Sequence, residues 1–220
     1  MNKETELQNI YRNRFAGKIS YRDKVWLLLC KHVFSKYVLE DTTVLDLGCG
    51  DGGFINNICA KTKWGLDLNP DCSKHLDLDV HFLQQDCSET WGVAAGSIDV
   101  VFTSNFFEHL NSKQLLGKIL DETHRVLKTG GKLIAMGPNI NILPGKYWDF
   151  WDHYIPLSEK SLSEALVNRG FRVDECIARF LPYTMVGKKE VPEVMIWLYL
   201  KVRFIWPVFG KQFLVVATKI

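Results

Sequence analysis

In TVLDLGCGDGG, residues 43–53, an acid (Asp46) and four glycines (48, 50, 52 and 53) follow a short β-favouring run. Each glycine gives up backbone entropy on folding, so four within six residues need a physical reason. The reason expected here is a ligand that comes too close to the backbone for a Cβ. Residues 48–53 satisfy G-x-G-x-x-G, and Asp46, Gly48, Gly50 and Gly52 satisfy D-x-G-x-G-x-G. The glycines alone therefore suit a dinucleotide or a phosphate-free nucleoside. Asp46 would repel a pyrophosphate, but it can order the loop or attract an ammonium group. Asp67, ending the next strand, can accept from both ribose hydroxyls, and Asp86, after the third, from an adenine amino group. Aspartate often ends strands through local turns. Three in step with a glycine loop point instead to a cationic, phosphate-free ligand.

A second group carries acid–base chemistry. His109, in NFFEHL just past the fourth strand, is the first candidate base, because histidine titrates near neutrality. The alternative is that it caps the next helix, although Asn111-Ser112 also supply cap chemistry. Glu108 beside it is a candidate substrate contact. In KYWDFWDHYIPLS (146–158), Tyr147, Trp148, Phe150, Trp151 and Tyr154 interleave with Asp149, Asp152 and His153. Aromatic faces with carboxylates suit a sugar-like acceptor, and His153 is an alternative base. His32, His75, His81 and His124 lie on expected helix or strand bodies and read as structural. Asp77 and Asp79 lack a third ligand at a nearby spacing, so no metal is expected.

Strands are expected at 43–47, 63–68, 79–86, 97–104, 132–139, 171–180 and 210–219. Helices are expected at 4–15, 21–37, 52–61, 115–127 and 158–170. Strands alternating with helices imply an α/β fold with a largely parallel sheet covered on both faces. Such sheets bind ligands at the carboxyl ends of their strands, where both chemical groups fall.

The 220 residues suffice for one domain, and 47% hydrophobic with 24% charged residues is ordinary globular composition. A net charge of +2 does not mark a nucleic-acid binder. The charge is uneven: +5 over 1–37, +5 over 179–220 and −8 between, which reads as solvated faces. Six cysteines without metal-ligand spacing read as reduced thiols. The polar start MNKETELQNI reads as no signal peptide, so a cytoplasmic location is expected. Residues 181–210 form a long insertion, apolar nearly all round from Val194 to Trp206. It is expected to serve as a substrate lid or homodimer contact. Peripheral contact of 188–209 with the inner membrane face, aided by Lys188, Lys189, Lys201 and Arg203, is the third option.

The set VLDLGCGDGG (44–53), GLDLNP (65–70), QQDCSE (84–89), SIDVVFTSNFFEHL (97–110) and RVLKTGGKLIAMGPN (125–139) resembles the class I S-adenosylmethionine-dependent methyltransferases. The resemblance implies a Rossmann-like, doubly wound, seven-stranded and mostly parallel sheet with an antiparallel last strand, 210–219. It implies a core over 41–180, an N-terminal helical segment (1–40) covering the site, the 181–210 insertion, and 211–220 as the closing strand. By the same resemblance Gly48, Cys49, Gly50 and Gly52 approach the methionine and ribose of S-adenosylmethionine, and Asp67, with Leu68 beside it, holds the ribose. Asp86 holds the adenine amino group, the Cys87 backbone meets the ring, and main chain around Asn105 faces the methionine end. Asp46 matches the acid opening the family's first motif. A looser likeness to methyltransferases of bacterial surface-polysaccharide assembly implies O-methylation of a sugar or glycan hydroxyl. A quinone or other small lipid acceptor, a nicotinamide-dependent reductase and a non-catalytic assembly protein stand as alternatives.

Overall fold

Contiguous apolar runs become central strands because both faces of a parallel sheet are covered. In β1 (Thr43–Leu47), Val44, Leu45 and Leu47 are fully buried. The computed structural model describes residues 19–183 and 190–220, so the expected helix 4–15 and Lys188 and Lys189 lie outside the described residues. The strands form one seven-stranded sheet in the order β3-β2-β1-β4-β5-β7-β6. The described residues divide into two compact units, 19–86 with 190–203, and 87–183 with 204–220.

In the first unit β1 pairs in parallel with β2 (Thr62–Asp67), and β2 with β3 (Val80–Gln84). The register sets Asp46 opposite Gly65 and Leu47 opposite Leu66. Helix α1 (Ile19–His32) precedes them, followed by a 3₁₀ turn at Phe34–Lys36, so the helix ends sooner than its expected 37.

The expected helix at 52–61 does not form; the segment is a run of turns. Its asparagines explain this. Asn57 Nδ2 donates to the Gly53 carbonyl at 3.0 Å. Asn56 donates to the His75 carbonyl at 2.8 Å and accepts from the Asp77 amide at 3.1 Å. Such side chains compete with the helical ladder, and Gly52 and Gly53 are poor helix formers at its start.

In the second unit β4 (Ile98–Ser104) pairs in parallel with β5 (Leu127–Pro138). β7 (Gln212–Lys219) runs antiparallel to both β5 and β6 (Phe171–Ile177), matching the expected antiparallel final strand. Helix α2 (Lys113–Val126) starts at Ser112, whose Oγ accepts from the Leu115 amide at 3.2 Å. It passes straight into β5, and the register with β4 shifts around Gly130, at φ +79°. Helix α3 (Glu159–Val167) opens with a Ser158–Ser161 capping box.

The apolar insertion is shared between the units. In the first, α4 (Glu193–Lys201) packs on α1, with Lys24 3.3 Å from Glu193 and the Val191 amide donating to the Tyr21 hydroxyl at 3.0 Å. Leu200 is buried, whereas Val194, Met195, Trp197 and Leu198 are 40–66% exposed. In the second unit a short helix, α5 (Trp206–Phe209), buries Trp206 against Phe180. No helix of the described residues is long and apolar enough to cross a membrane.

Candidate active site

The glycine loop leaves β1 as a tight turn. Gly48, Gly50 and Gly52 sit at φ +72°, +51° and +77°, the left-handed region that other residues enter at a cost. The amides of Gly48 and Cys49 both donate to the Leu66 carbonyl, at 2.8 and 3.2 Å. The Gly50 amide donates to Asp67 Oδ2 at 3.0 Å, and Asp67 Oδ1 accepts from the Asn69 amide at 2.9 Å. Asp67 is thus the brace beneath the loop. Asn69 and the thiol of Cys72, which also hydrogen-bonds Asp67, are supports that the sequence reading passed over. The Asn69-Pro70 pair was the available signal.

Asp46 is buried and accepts from the Ile55 amide, so it ties the turns after the loop back to β1. Burial and then the charge of Asp67 push its carboxyl well above the ordinary range, against the Ile55 hydrogen bond. Burial also raises Asp67, although the Asn69 and Gly50 amides pull the other way. Arg22 meets Asp51 in the loop at 2.9 Å.

The close approach expected at the glycines has two sources. A Cβ on Gly53 would lie 2.4 Å from the indole of Trp26, and one on Gly52 2.6 Å from Asn56. At those two positions the chain's own side chains exclude a Cβ. Leu68 and Asp86 are half-buried just beyond β2 and β3, and the Gln85 amide donates to the Asp67 carbonyl at 3.1 Å.

In the second unit the Cys87 carbonyl accepts from Trp91 Nε1 at 3.1 Å. The Trp91 amide donates to Glu122 at 2.7 Å, and Arg125 holds Glu122 while also donating to the Trp91 and Val93 carbonyls. This network, fixing residues 87–93, had no local signature. At the end of β4, Asn105 takes φ +50°, alone among the described non-glycine residues in having a positive φ, and its amide donates to the Met136 carbonyl at 2.9 Å. Such strain recurs at functional sites.

A 3₁₀ turn, Phe107–His109, follows. His109 does not cap α2, since Ser112 does. His109 Nδ1 lies 2.8 Å from the Asp152 carbonyl oxygen and 3.2 Å from Asp152 Oδ2. Donation to that carbonyl leaves Nε2 as the basic nitrogen, 3.9 Å from Glu108 Oε1. Burial would lower the His109 pKa, but the Asp152 hydrogen bond and the Glu108 charge outweigh it, and the net shift is upward. The His153 ring stands edge-on to His109 at 5.0 Å, stacks on Phe150 at 5.1 Å and meets Tyr147 at 5.0 Å. The amides of Tyr154 and Ile155 donate to the Glu108 carbonyl, at 2.8 and 3.4 Å, and the buried Tyr147 hydroxyl donates to the Ile155 carbonyl at 2.6 Å. Both candidate bases therefore belong to one cluster. The aromatic loop divides: Tyr147 packs inward, while Trp148, Trp151 and Tyr154 are 49%, 84% and 51% exposed.

A family model described as a methyltransferase domain matches residues 18–176. No curated protein matches the chain. Among solved structures, a chain of the Haloferax volcanii complex between the Trm112 methyltransferase activator and a methyltransferase is 19% identical, with a TM-score of 0.69, and 96% of each chain is covered. An S-adenosylmethionine-dependent methyltransferase of Archaeoglobus fulgidus is 20% identical, with a TM-score of 0.67, covering 97% of this chain and 99% of that one. The N-methyltransferase NodS of Bradyrhizobium japonicum is 11% identical, with a TM-score of 0.60, covering 91% and 97%.

Proposed function

This chain belongs to the methyltransferase-domain family, and from that premise we propose that it transfers the methyl group of S-adenosylmethionine to a sugar or glycan-type hydroxyl. The donor fits the residues present. Three left-handed glycines turn the chain tightly at the end of β1, and Asp67, bracing that turn, accepts ribose hydroxyls. The half-buried Asp86 accepts from the adenine amino group, the Cys87 backbone meets the ring, and the strained backbone at Asn105 meets the methionine end.

Bound S-adenosylmethionine supplies a methyl already activated by its sulfonium, so the protein's work is alignment and proton handling. The observation that carries the choice of oxygen is the oriented His109 ring, with Nδ1 anchored on the Asp152 carbonyl and Nε2 beside Glu108. The acceptor's proton leaves through the Glu108–His109–His153 group. The oxygen's electron pair forms the new C–O bond, and the C–S pair departs with sulfur as S-adenosylhomocysteine. Exposed Trp148, Trp151 and Tyr154 offer faces for the C–H surface of a sugar.

A second reading, a quinone or other small lipid acceptor, draws on the exposed apolar residues of α4. Labelled-methyl transfer to a panel of oligosaccharides and hydroquinones, read by mass spectrometry, separates the two. Methyl on a glycan hydroxyl is expected. Label on hydroquinones alone would reassign the acceptor, and absence of any heat on titrating S-adenosylmethionine would overturn the donor.

A further inference from the structure

We propose that Glu108, His109 and His153 bind a divalent transition-metal ion of the zinc type, which seats the acceptor's hydroxyl oxygen. The inference rests on the O-methyltransferase reading and names how that group handles the proton. Each of the three side chains offers one ligand atom, and these atoms lie within 4.8 Å of one another. Zinc–ligand bonds of about 2.0–2.2 Å set tetrahedral ligands roughly 3.4 Å apart. Glu108 Oε1 and His109 Nε2, at 3.9 Å, need close by only about half an ångström to reach that spacing.

Three further features distinguish the cluster from a chance meeting of polar groups. His109 is held from behind: Nδ1 on the Asp152 carbonyl leaves the Nε2 lone pair directed at the ligand group, the outer-shell arrangement of metal-binding histidines. The two contributing segments are fastened together by the Tyr154 and Ile155 amides on the Glu108 carbonyl, and Phe150 and Tyr147 pack the His153 ring. The ligands are also unequally exposed. Glu108 and His153 are buried, while the His109 side chain keeps 26% of its surface, giving an entry path. Two histidines, one carboxylate and an open position form the donor set of catalytic rather than structural zinc. An ion there neutralises the buried Glu108 charge and lowers the pKa of a coordinated hydroxyl. The group then releases the acceptor's proton to water through the metal, with His109 Nε2 serving as ligand in place of base. His153 stands 44 positions beyond His109 in the chain, so no local spacing betrays the site.

The test uses the full chain stripped of metal by chelator dialysis. Co²⁺ is titrated with visible absorption as the readout, Zn²⁺ by calorimetry, and S-adenosylhomocysteine binding is measured on the same sample. One equivalent of Co²⁺ giving intense d–d bands, displaced by Zn²⁺, is expected. Glu108→Gln and His153→Gln, each checked by circular dichroism, should weaken Zn²⁺ binding by about 100-fold or more. Absence of d–d bands and of Zn²⁺ heat in the wild type overturns the site. So does a near-ultraviolet thiolate band, which assigns the ion to cysteine, or unchanged affinity in both folded variants. If nucleoside binding survives those results, the methyltransferase reading stands without the metal; if it is also absent, that reading falls with it.

Discussion

Replacing Asp67 by asparagine separates the two tasks this carboxylate performs. Its oxygens accept from the Gly50 and Asn69 amides at 3.0 and 2.9 Å, and an amide side chain can serve only one of them. Losing a charge-assisted hydrogen bond costs about 1.5–3 kcal/mol. Against this, burial raises the Asp67 pKa, so the folded chain holds the anion at a cost that asparagine removes. The terms oppose each other, and the melting temperature should move by only a few degrees, given roughly 2–4 °C per kcal/mol for a chain of this size. Nucleoside binding has no such offset. The ribose hydroxyls lose a charged acceptor worth about 1.5–3 kcal/mol, a fall in affinity of roughly 10- to 150-fold. Calorimetry with S-adenosylhomocysteine at neutral pH, beside a thermal melt, reads both quantities. Affinity within threefold of wild type would refute the ribose assignment. A melting temperature lowered by more than about 10 °C would refute the cancellation.

Three other expectations follow from the same geometry. Gly53→Ala places a Cβ 2.4 Å from Trp26 and should cost about 1–3 kcal/mol by thermal melt; in a Trp26→Leu background the penalty should shrink by at least half. Because the Asp46 pKa is raised above 3.8, the folded chain keeps a proton there that the unfolded chain releases, and this contribution to stability is lost as pH rises through that window. Asp46→Asn, whose Oδ1 still accepts from Ile55, should therefore gain stability over wild type progressively above pH 3.8; a pH series of chemical denaturations with no such divergence rejects the argument. His109→Gln should lower methyl transfer by about 10²- to 10⁴-fold while leaving nucleoside affinity within threefold, as single-turnover assays beside calorimetry would show.

The strands and the glycine loop could be read from the chain because their causes are local. Val100–Phe102 are apolar at consecutive positions, and Val44, Leu45 and Leu47 flank Asp46 in a run just as buried, as a strand covered on both faces requires. The alternation of strand and helix then restricts the topology, and the loop's left-handed turns are written in its glycines. The segment 52–61 was misread because hydrophobic spacing outweighed Asn57, which turns back onto the Gly53 carbonyl, and Asn56, whose partners His75 and Asp77 lie about twenty residues ahead. Side-chain hydrogen bonds over such distances exist only once the chain has folded.

The chemical group was legible only in its parts. His109 with its neighbour Glu108, and His153 with its neighbour Asp152, each stood out by type and by position after a strand, yet nothing linear joined the one pair to the other. That meeting depends on the return of residues 147–155 to the 3₁₀ turn after β4, fastened by amides of Tyr154 and Ile155. The amino-acid sequence determined the scaffold and the residue types at its strand tips, since periodicity and backbone preference act over a few residues. The tertiary structure alone decided which nitrogen of His109 is basic and what stands beside it, because hydrogen bonding and burial depend on neighbours brought from 43 residues away.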